Sequence, residues 1–158
     1  TLILPVLNGI KHIETFHQVF PGNPILGGIV HGALTLTPEG TIDHLSPFFS
    51  LIVGPMSGAV DLVTQGLIES LANAQVDVRL SADIQQDLWS KFVFLTSLAG
   101  ITCLMRASIG TIMASVDGPQ LTRQLFGECL HVARLEGRAT NAEVMNAYLA
   151  LLTQSGSN

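Results

Sequence analysis

The chain has 158 residues, which suits one ordinary domain or parts of two. Apolar residues make up 47% and charged residues 12%, so the sequence is too apolar and too weakly charged to be a disordered tail. The net charge is −5 with only 7 lysines and arginines, which leaves no cationic stripe for phosphates, and we expect no nucleic-acid partner.

The N-terminal segment combines an apolar run with a helical pattern. The run over 2–7 predicts a buried strand, and Asn8-Gly9 after it is typical of a tight turn. Apolar residues then recur at helical spacing over 10–20, and Pro21-Gly22 stops that helix. The segment therefore reads as strand, turn and helix.

Two segments rich in β-branched residues follow, 25–37 and 41–53, separated by the turn Pro38-Glu39-Gly40. They predict a hairpin or meander. A helical pattern over 60–71 and a short strand over 76–80 complete this half of the chain. The alternation of strands and helices indicates an α/β class, although so few strands hardly complete a stable sheet.

From residue 81 onward the pattern is helical. Ser81 is the predicted N-cap of a helix over 83–105. From Phe92 this helix is apolar on all sides, which is typical of a helix buried in the middle of a bundle. Further helices are predicted over 120–137 and from Asn141. The chain thus reads as the end of an α/β unit followed by the start of an all-α unit.

Membrane insertion and secretion are both disfavoured by the sequence. The apolar stretch 92–105, bounded by Lys91 and Arg106, is shorter than the roughly 20 residues that span a bilayer. The start at Thr1 has no features of a signal peptide and no initiator methionine, so we expect a piece of a larger protein. The two cysteines are too few for a disulfide framework and lack metal-ligand spacing, so we expect a reducing, cytoplasmic compartment and no metal.

Lysine occurs only at positions 11 and 91. Lys91 enters the apolar part of its helix, where burial disfavours the ammonium form and lowers the pKa toward the working range of a general acid. Asp87, one turn earlier, could pair with it on the same helical face. The alternative is a lysine whose stem covers apolar surface while its ammonium stays in water. The residues alone leave both interpretations open.

Asn8 also has two interpretations. It is either a turn residue or a polar side chain at the carboxyl edge of a parallel sheet, where α/β folds bind ligands. His31 and His44 lie in the strand region without a partner at metal-site spacing. The sequence contains neither GxGxxG nor GxxxxGK[ST], and so no phosphate-binding loop of these kinds.

The order of segments resembles the ketopantoate reductase (2-dehydropantoate 2-reductase) family. The matching segments are Leu4-Pro5-Val6-Leu7-Asn8-Gly9, Gly27-Gly28-Ile29-Val30-His31-Gly32-Ala33, Gly40-Thr41-Ile42-Asp43-His44 and Asp87-Leu88-Trp89-Ser90-Lys91-Phe92-Val93-Phe94, continuing to Thr102 and Ile109-Gly110. The resemblance implies a Rossmann domain joined to a helical domain like that of 6-phosphogluconate dehydrogenase. Residues 1–80 would be the C-terminal part of the NADP-binding domain, and 81–158 the first helices of the substrate and dimerisation domain.

The resemblance also implies an activity, the NADPH-dependent reduction of ketopantoate to pantoate on the way to pantothenate, or of a related 2-keto acid. Lys91 matches the family's general acid, which binds the substrate and protonates its ketone oxygen. Asn8 matches the asparagine near the nicotinamide and the substrate, and Ala33 falls where backbone approaches the cofactor. The implied partners are NADP, a small 2-keto acid and a second copy in a homodimer.

Three positions depart from the family pattern. Asparagines that commonly follow the lysine by one and two turns are replaced by Leu95 and Ala99, and another, before a glycine, by Ile109. These replacements predict a more apolar pocket and favour another 2-keto acid as well as ketopantoate. The alternative is a helical oligomerisation or binding domain that has kept the fold and lost catalysis. Because the glycine-rich loop and a later serine and glutamate are missing, we expect an internal fragment that is inactive by itself.

Overall fold

The computed structural model describes residues 1–74, 76–138 and 141–154 and divides the chain into two compact units, Thr1–Leu88 and Trp89–Asn158. The division falls inside a long helix, some way after the change of sequence pattern near residue 80. It does so because the first turns of that helix pack in the core of the first unit, through Ile84 and Leu88. The predicted order, α/β followed by all-α, is confirmed.

The first unit is an α/β unit. In chain order its elements are α1 (Lys11–Val19), β1 (Leu26–His31), β2 (Leu34–Leu36), β3 (Ile42–His44), β4 (Ser50–Pro55), α2 (Leu62–Asn73), β5 (Asp77–Leu80) and the start of α3 (Ile84–Met105). Strand β4 is the middle strand of a three-stranded sheet, antiparallel to β1 and parallel to β5. Strands β2 and β3 form a separate antiparallel pair. The predicted hairpin or meander is therefore two nested antiparallel pairs, with β2–β3 inside β1–β4.

The apolar run over 2–7 is not the full strand that its composition predicts. A single parallel bridge joins Ile3 to Ile25. Pro5 has no N–H to donate to a ladder, and Val6 and Leu7 are half exposed. The segment still lies directly on β1, because a Cβ on Gly28 would stand 2.7 Å from the Pro5 carbonyl oxygen. Glycine at 28 allows this close approach.

Both faces of the three-stranded sheet are covered, as the α/β class requires. On one face Ile29 and Ile52 pack with Ile13 of α1 and with the first turns of α3. On the other face the apolar side chains of β1, β4 and β5 pack against Leu67 and Leu71 of α2. The strand residues are Leu26, Val30, Leu51, Val53 and Val78.

The second unit contains the rest of α3 together with α4 (Ile109–Met113), α5 (Gly118–Leu135) and α6 (Ala142–Leu152). The predicted α5 and α6 are confirmed within two residues. Two residues after the end of α5, Gly137 has a φ of +74°, and the next N–H, of Arg138, donates to the Ala133 carbonyl. The side chain of Asn141 caps α6. The short helix α4, capped by Ser108, was predicted only as an interruption.

Helix α3 is not buried on every side, contrary to the prediction from its composition. Val93, Ser97 and Ile101 are buried, whereas Leu104 is 77% exposed. The described parts of α5 and α6 pack against one face of α3 and leave the opposite face open. An apolar run does not reveal which of its faces a neighbour covers, and this is why the prediction failed.

Helix α3 is also longer than the apolar stretch from which membrane insertion was disfavoured. The helix has 22 residues rather than the shorter stretch counted from Phe92, because it begins at Ile84. Among the described residues it is the one helix long and apolar enough to cross a bilayer. The core helix of a water-soluble protein passes the same test, so this criterion does not distinguish the two.

Candidate active site

Lys91 lies near the middle of the first half of α3 and is half-buried. Burial lowers the pKa of its ammonium group below the ordinary lysine value, because the charged form is penalised where water is displaced. This confirms the predicted direction of the shift. A lysine of lowered pKa gives up its proton more readily near neutral pH, as a general acid must.

The N-terminal end of α3 differs in detail from the prediction. Asp83, not Ser81, caps the helix: its Oδ1 accepts a hydrogen bond from the Gln86 N–H at 3.1 Å. Ser81 lies before the helix and is only 4% exposed. Its hydroxyl accepts from the Asp83 N–H at 3.1 Å and donates to Asp87 at 2.6 Å. Ser81 thus connects the strand before the helix to the first turn of the helix.

The carboxylate of Asp87 is bound by residues that sequence spacing does not connect to it. Its Oδ2 accepts from the Ser81 hydroxyl at 2.6 Å and from Arg79 Nη2 at 3.1 Å. Both donors lie at the end of β5. The pairing of Asp87 with Lys91 stays a prediction.

Asn8 lies at an exposed bend before α1. Gly9 has a φ of +89°, so the turn that Asn8-Gly9 predicts is present. The space beside Gly9 is open, since a Cβ there would meet no atom within 4 Å. The side chain of Asn8 is therefore an exposed amide with both donor and acceptor groups.

Ala33 lies between β1 and β2, and its backbone groups already have partners. Its N–H donates to Ser46 Oγ at 3.0 Å, and its carbonyl accepts from the Leu45 N–H at 2.8 Å. A cofactor can therefore meet Ala33 by van der Waals contact or through the second lone pair of the carbonyl. The Ser46 Oγ also lies 3.0 Å from His44 Nε2. His44 therefore has a hydrogen-bond partner that spacing typical of metal sites does not predict.

The surface that follows Lys91 along α3 is apolar. Leu95 and Ala99 follow at one-turn and two-turn spacing, half-buried and exposed respectively. The hydroxyl of Thr102, farther along, donates to the Leu98 carbonyl of the same helix at 2.7 Å. Ile109, the third departure from the family pattern, is 6% exposed and packs in a core cluster of the second unit.

An apolar pocket of about 120 Å³ lies between α3 and α5 in the second unit. Its lining residues are Trp89, Phe92, Val93, Thr96, Cys129 and Val132. It includes none of the predicted site residues and no charged group to orient a substrate. Within the described ranges, no three His, Cys, Asp or Glu side chains lie close enough to hold a metal ion. Lys91 is therefore the best candidate for chemistry.

Two family models match the chain. The model described as "Ketopantoate reductase PanE/ApbA" matches residues 1–58, and "Ketopantoate reductase PanE/ApbA C terminal" matches residues 83–158. A relative from Bacillus subtilis, "Uncharacterized oxidoreductase YkpB", is 31% identical over 137 residues, 87% of this chain and 45% of the relative. The chain spans about half the length of the curated relatives it matches.

Solved structures share the fold. The 2-dehydropantoate 2-reductase of Geobacter metallireducens superposes with a TM-score of 0.85 at 23% identity, over 100% of this chain and 53% of that one. A D-mandelate dehydrogenase solved with NADH superposes with a TM-score of 0.81 at 16% identity, over 96% of this chain and 51% of that one. At such identities the likeness shows the fold alone. That fold is a Rossmann-type N-terminal domain followed by a helical domain, as predicted.

Proposed function

Because the chain belongs to the ketopantoate reductase family, we propose that the protein carrying it reduces a 2-keto acid with NADPH, with Lys91 as the proton donor. The observation that carries the proposal is the half-buried lysine of lowered pKa on α3, inside the segment matched by the C-terminal family model. Ketopantoate is one candidate substrate and a related 2-keto acid is the other.

The residues of this chain have distinct roles in the proposed reaction. When bound, the reduced nicotinamide supplies the hydride that reaches the ketone carbon. The ammonium group of Lys91 donates a hydrogen bond to the ketone oxygen and passes its proton to that oxygen as the alcohol forms. Lys91 is left neutral and regains a proton from solvent. Its lowered pKa makes the ammonium group a stronger acid and so favours donation of its proton to the ketone oxygen.

Asn8 is proposed to hold the nicotinamide and the substrate through its exposed amide, and Ala33 to contact the cofactor. Residues 1–80 would then form the C-terminal part of an NADP-binding domain, and 81–158 the first helices of a substrate and dimerisation domain. The apolar surface at Leu95 and Ala99 supports a substrate with an apolar side chain as well as ketopantoate. We further propose a cytoplasmic homodimer that takes part in pantothenate biosynthesis if ketopantoate is the substrate.

The test is Lys91→Ala in the protein at the full length of its relatives, with Lys11→Ala as the matched control. Lys11, the other lysine of this chain, is 83% exposed and pairs with Glu14 on the surface. NADPH oxidation is followed with ketopantoate and with a panel of apolar 2-keto acids. We expect Lys91→Ala to lower kcat by about 100-fold or more, the usual contribution of general acid catalysis, and Lys11→Ala to leave it unchanged. Full activity of Lys91→Ala would refute the assigned role.

The second candidate is a binding or oligomerisation domain that has lost catalysis, favoured by the absence of polar side chains at Leu95 and Ala99. Fluorescence titration with NADPH separates the two candidates. Micromolar binding together with turnover of any 2-keto acid supports the enzyme. Absence of both supports the binding domain.

A further inference from the structure

We propose that Gln85 and the Ser81–Asp87 pair are positioning residues, which fix the start of α3 on the sheet and so set the direction of the helix turn that carries Lys91. The inference deepens the proposed function and rests on it. It concerns the direction of one helix, since Lys91 follows Asp87 by one turn on the same unbroken α3.

The anchoring edge is formed by the carboxyl ends of two parallel strands. Strands β4 and β5 run in register from Ser50 opposite Asp77 to Val53 opposite Leu80, so both end at the same edge. In α/β sheets this is the edge at which ligands bind. The Ser81 N–H extends the ladder by donating to the Val53 carbonyl at 2.8 Å. Ser81 is thereby held as part of the sheet.

Helix α3 is fastened to this edge by side-chain hydrogen bonds from both strand ends. Gln85 Nε2 donates to the Met56 carbonyl, one residue beyond β4, at 2.7 Å. Ser81, one residue beyond β5, donates to Asp87 at 2.6 Å, and Arg79 within β5 donates to the same oxygen at 3.1 Å. The two attachments lie on adjacent strands and so restrain the tilt of the helix axis.

Packing restrains the same turn. The side chain of Ile84, the first residue of α3, lies against two glycines of the sheet. A Cβ on Gly27 of β1 would stand 2.5 Å from it, and a Cβ on Gly54 of β4 would stand 2.9 Å from it. The first residue of the helix therefore lies in direct contact with the sheet backbone and cannot move closer to it. The hydrogen bonds restrain a helix that is already in contact with the sheet.

The expected effect follows from helix geometry. Gln85 and Lys91 are six residues apart, about 9 Å along the axis at about 1.5 Å per residue. A tilt of about 10° at Gln85 moves the backbone of Lys91 by about 1.5 Å. A misplacement of about 1 Å in a catalytic group can cost about 100-fold in rate. We therefore expect a loss in kcat of about 10-fold to 100-fold when one attachment is removed.

The test uses Gln85→Met and Ser81→Ala, which change no charge, with Gln124→Met as the matched control. Gln124 lies exposed on α5, where it bonds only to Glu128 among the described contacts. In the protein at the full length of its relatives, both test variants should lower kcat about 10-fold or more, while the Kd for NADPH stays within about 2-fold. Gln124→Met should change neither quantity.

A second readout does not depend on turnover. The 158-residue chain has only two lysines, so reductive methylation with ¹³C gives two side-chain signals to titrate, apart from the N-terminal amine. In Gln85→Met the pKa of Lys91 should move up toward its ordinary value as the helix start loosens and water gains access, while that of Lys11 stays constant. Asp87→Asn serves as a further variant if Ser81→Ala fails to fold.

The outcomes separate the two claims. If Lys91→Ala lowers kcat but Gln85→Met and Ser81→Ala do not, the positioning role is wrong and the proposed function stands. If Lys91→Ala keeps full activity, the proposed function fails. In that case an unchanged Lys91 titration in Gln85→Met also overturns the positioning role.

Discussion

Replacing Gly118 by alanine tests the closest backbone contact of the helical unit. Gly118 is the first residue of α5, and it packs against the end of α4. A Cβ at this position would stand 1.8 Å from the Ile112 carbonyl oxygen and 2.6 Å from Ser115 Oγ. That carbonyl already accepts hydrogen bonds from the N–H and the hydroxyl of Ser115. The substitution therefore displaces a backbone carbonyl that is already held by two hydrogen bonds.

The magnitude follows from the distance. Cβ atoms are essentially never found closer than 3.0 Å to such a neighbour, so α4 and α5 must separate by more than 1 Å. Overpacking of this kind costs about 1 to 3 kcal/mol, and the lost hydrogen bonds at Ile112 place Gly118→Ala at the upper end. Gly127 is the matched control on the same helix, because a Cβ there meets nothing within 4 Å. Gly127→Ala should stabilise by about 1 kcal/mol.

Urea unfolding followed by tryptophan fluorescence measures both variants. Trp89 is the only tryptophan of the chain and lies in the second unit, so its emission reports on the unit that contains both glycines. With a slope of about 1 kcal/mol per molar urea, Gly127→Ala should raise the midpoint by about 1 M. Gly118→Ala should lower it by more than that or abolish the transition. An increase in both variants would refute the close contact between α4 and α5.

Two further predictions concern pH. Burial depresses the pKa of Lys91 in the folded state, so the unfolded state binds more protons and the free energy of unfolding should rise as pH increases toward the ordinary lysine value near 10.4. Urea midpoints of Lys91→Met should lie above those of the parent chain at pH 7, and the gap should shrink by pH 10; a constant gap would contradict the shift. Asp61 caps α2 by accepting from the Thr64 N–H at 2.7 Å, which lowers its pKa. Asp61→Ala should lower the midpoint seen by circular dichroism at pH 7, whereas Asp61→Asn should not, and the advantage of the parent chain over Asp61→Ala should shrink as pH falls below about 4.

The fold could be predicted wherever local signals agree. Helix α5 has its apolar period and a terminal glycine at 137, and it was placed within two residues. The run over 2–7 has only composition in its favour, and Pro5 removes the donor that a ladder needs. Helix α3 has an apolar surface on all sides, so its sequence could not indicate which face its neighbours leave open. Prediction failed where the outcome depends on contacts distant in the chain.

The candidate site shows the same limit. The position of Lys91 and the direction of its pKa shift follow from a lysine entering an apolar helix. The partners of Asp87 do not, because spacing of four residues points to Lys91 while the donors come from the end of β5. The bond from Gln85 to Met56 spans 29 residues and has no sequence signal. Ser46 beside Ala33 was missed for the same reason.

The nested hairpins have a practical consequence for labelling the protein. Strands β2 and β3 form their own sheet, and the tip between them carries an exposed Pro38-Glu39-Gly40 turn with open space around Gly40. Lengthening such a tip costs only about 0.6 kcal/mol for each doubling of the loop, and the β1–β4 ladder does not pass through it. An epitope or a fluorophore-binding peptide inserted after Glu39 would therefore label the protein and leave the sheet that anchors α3 intact.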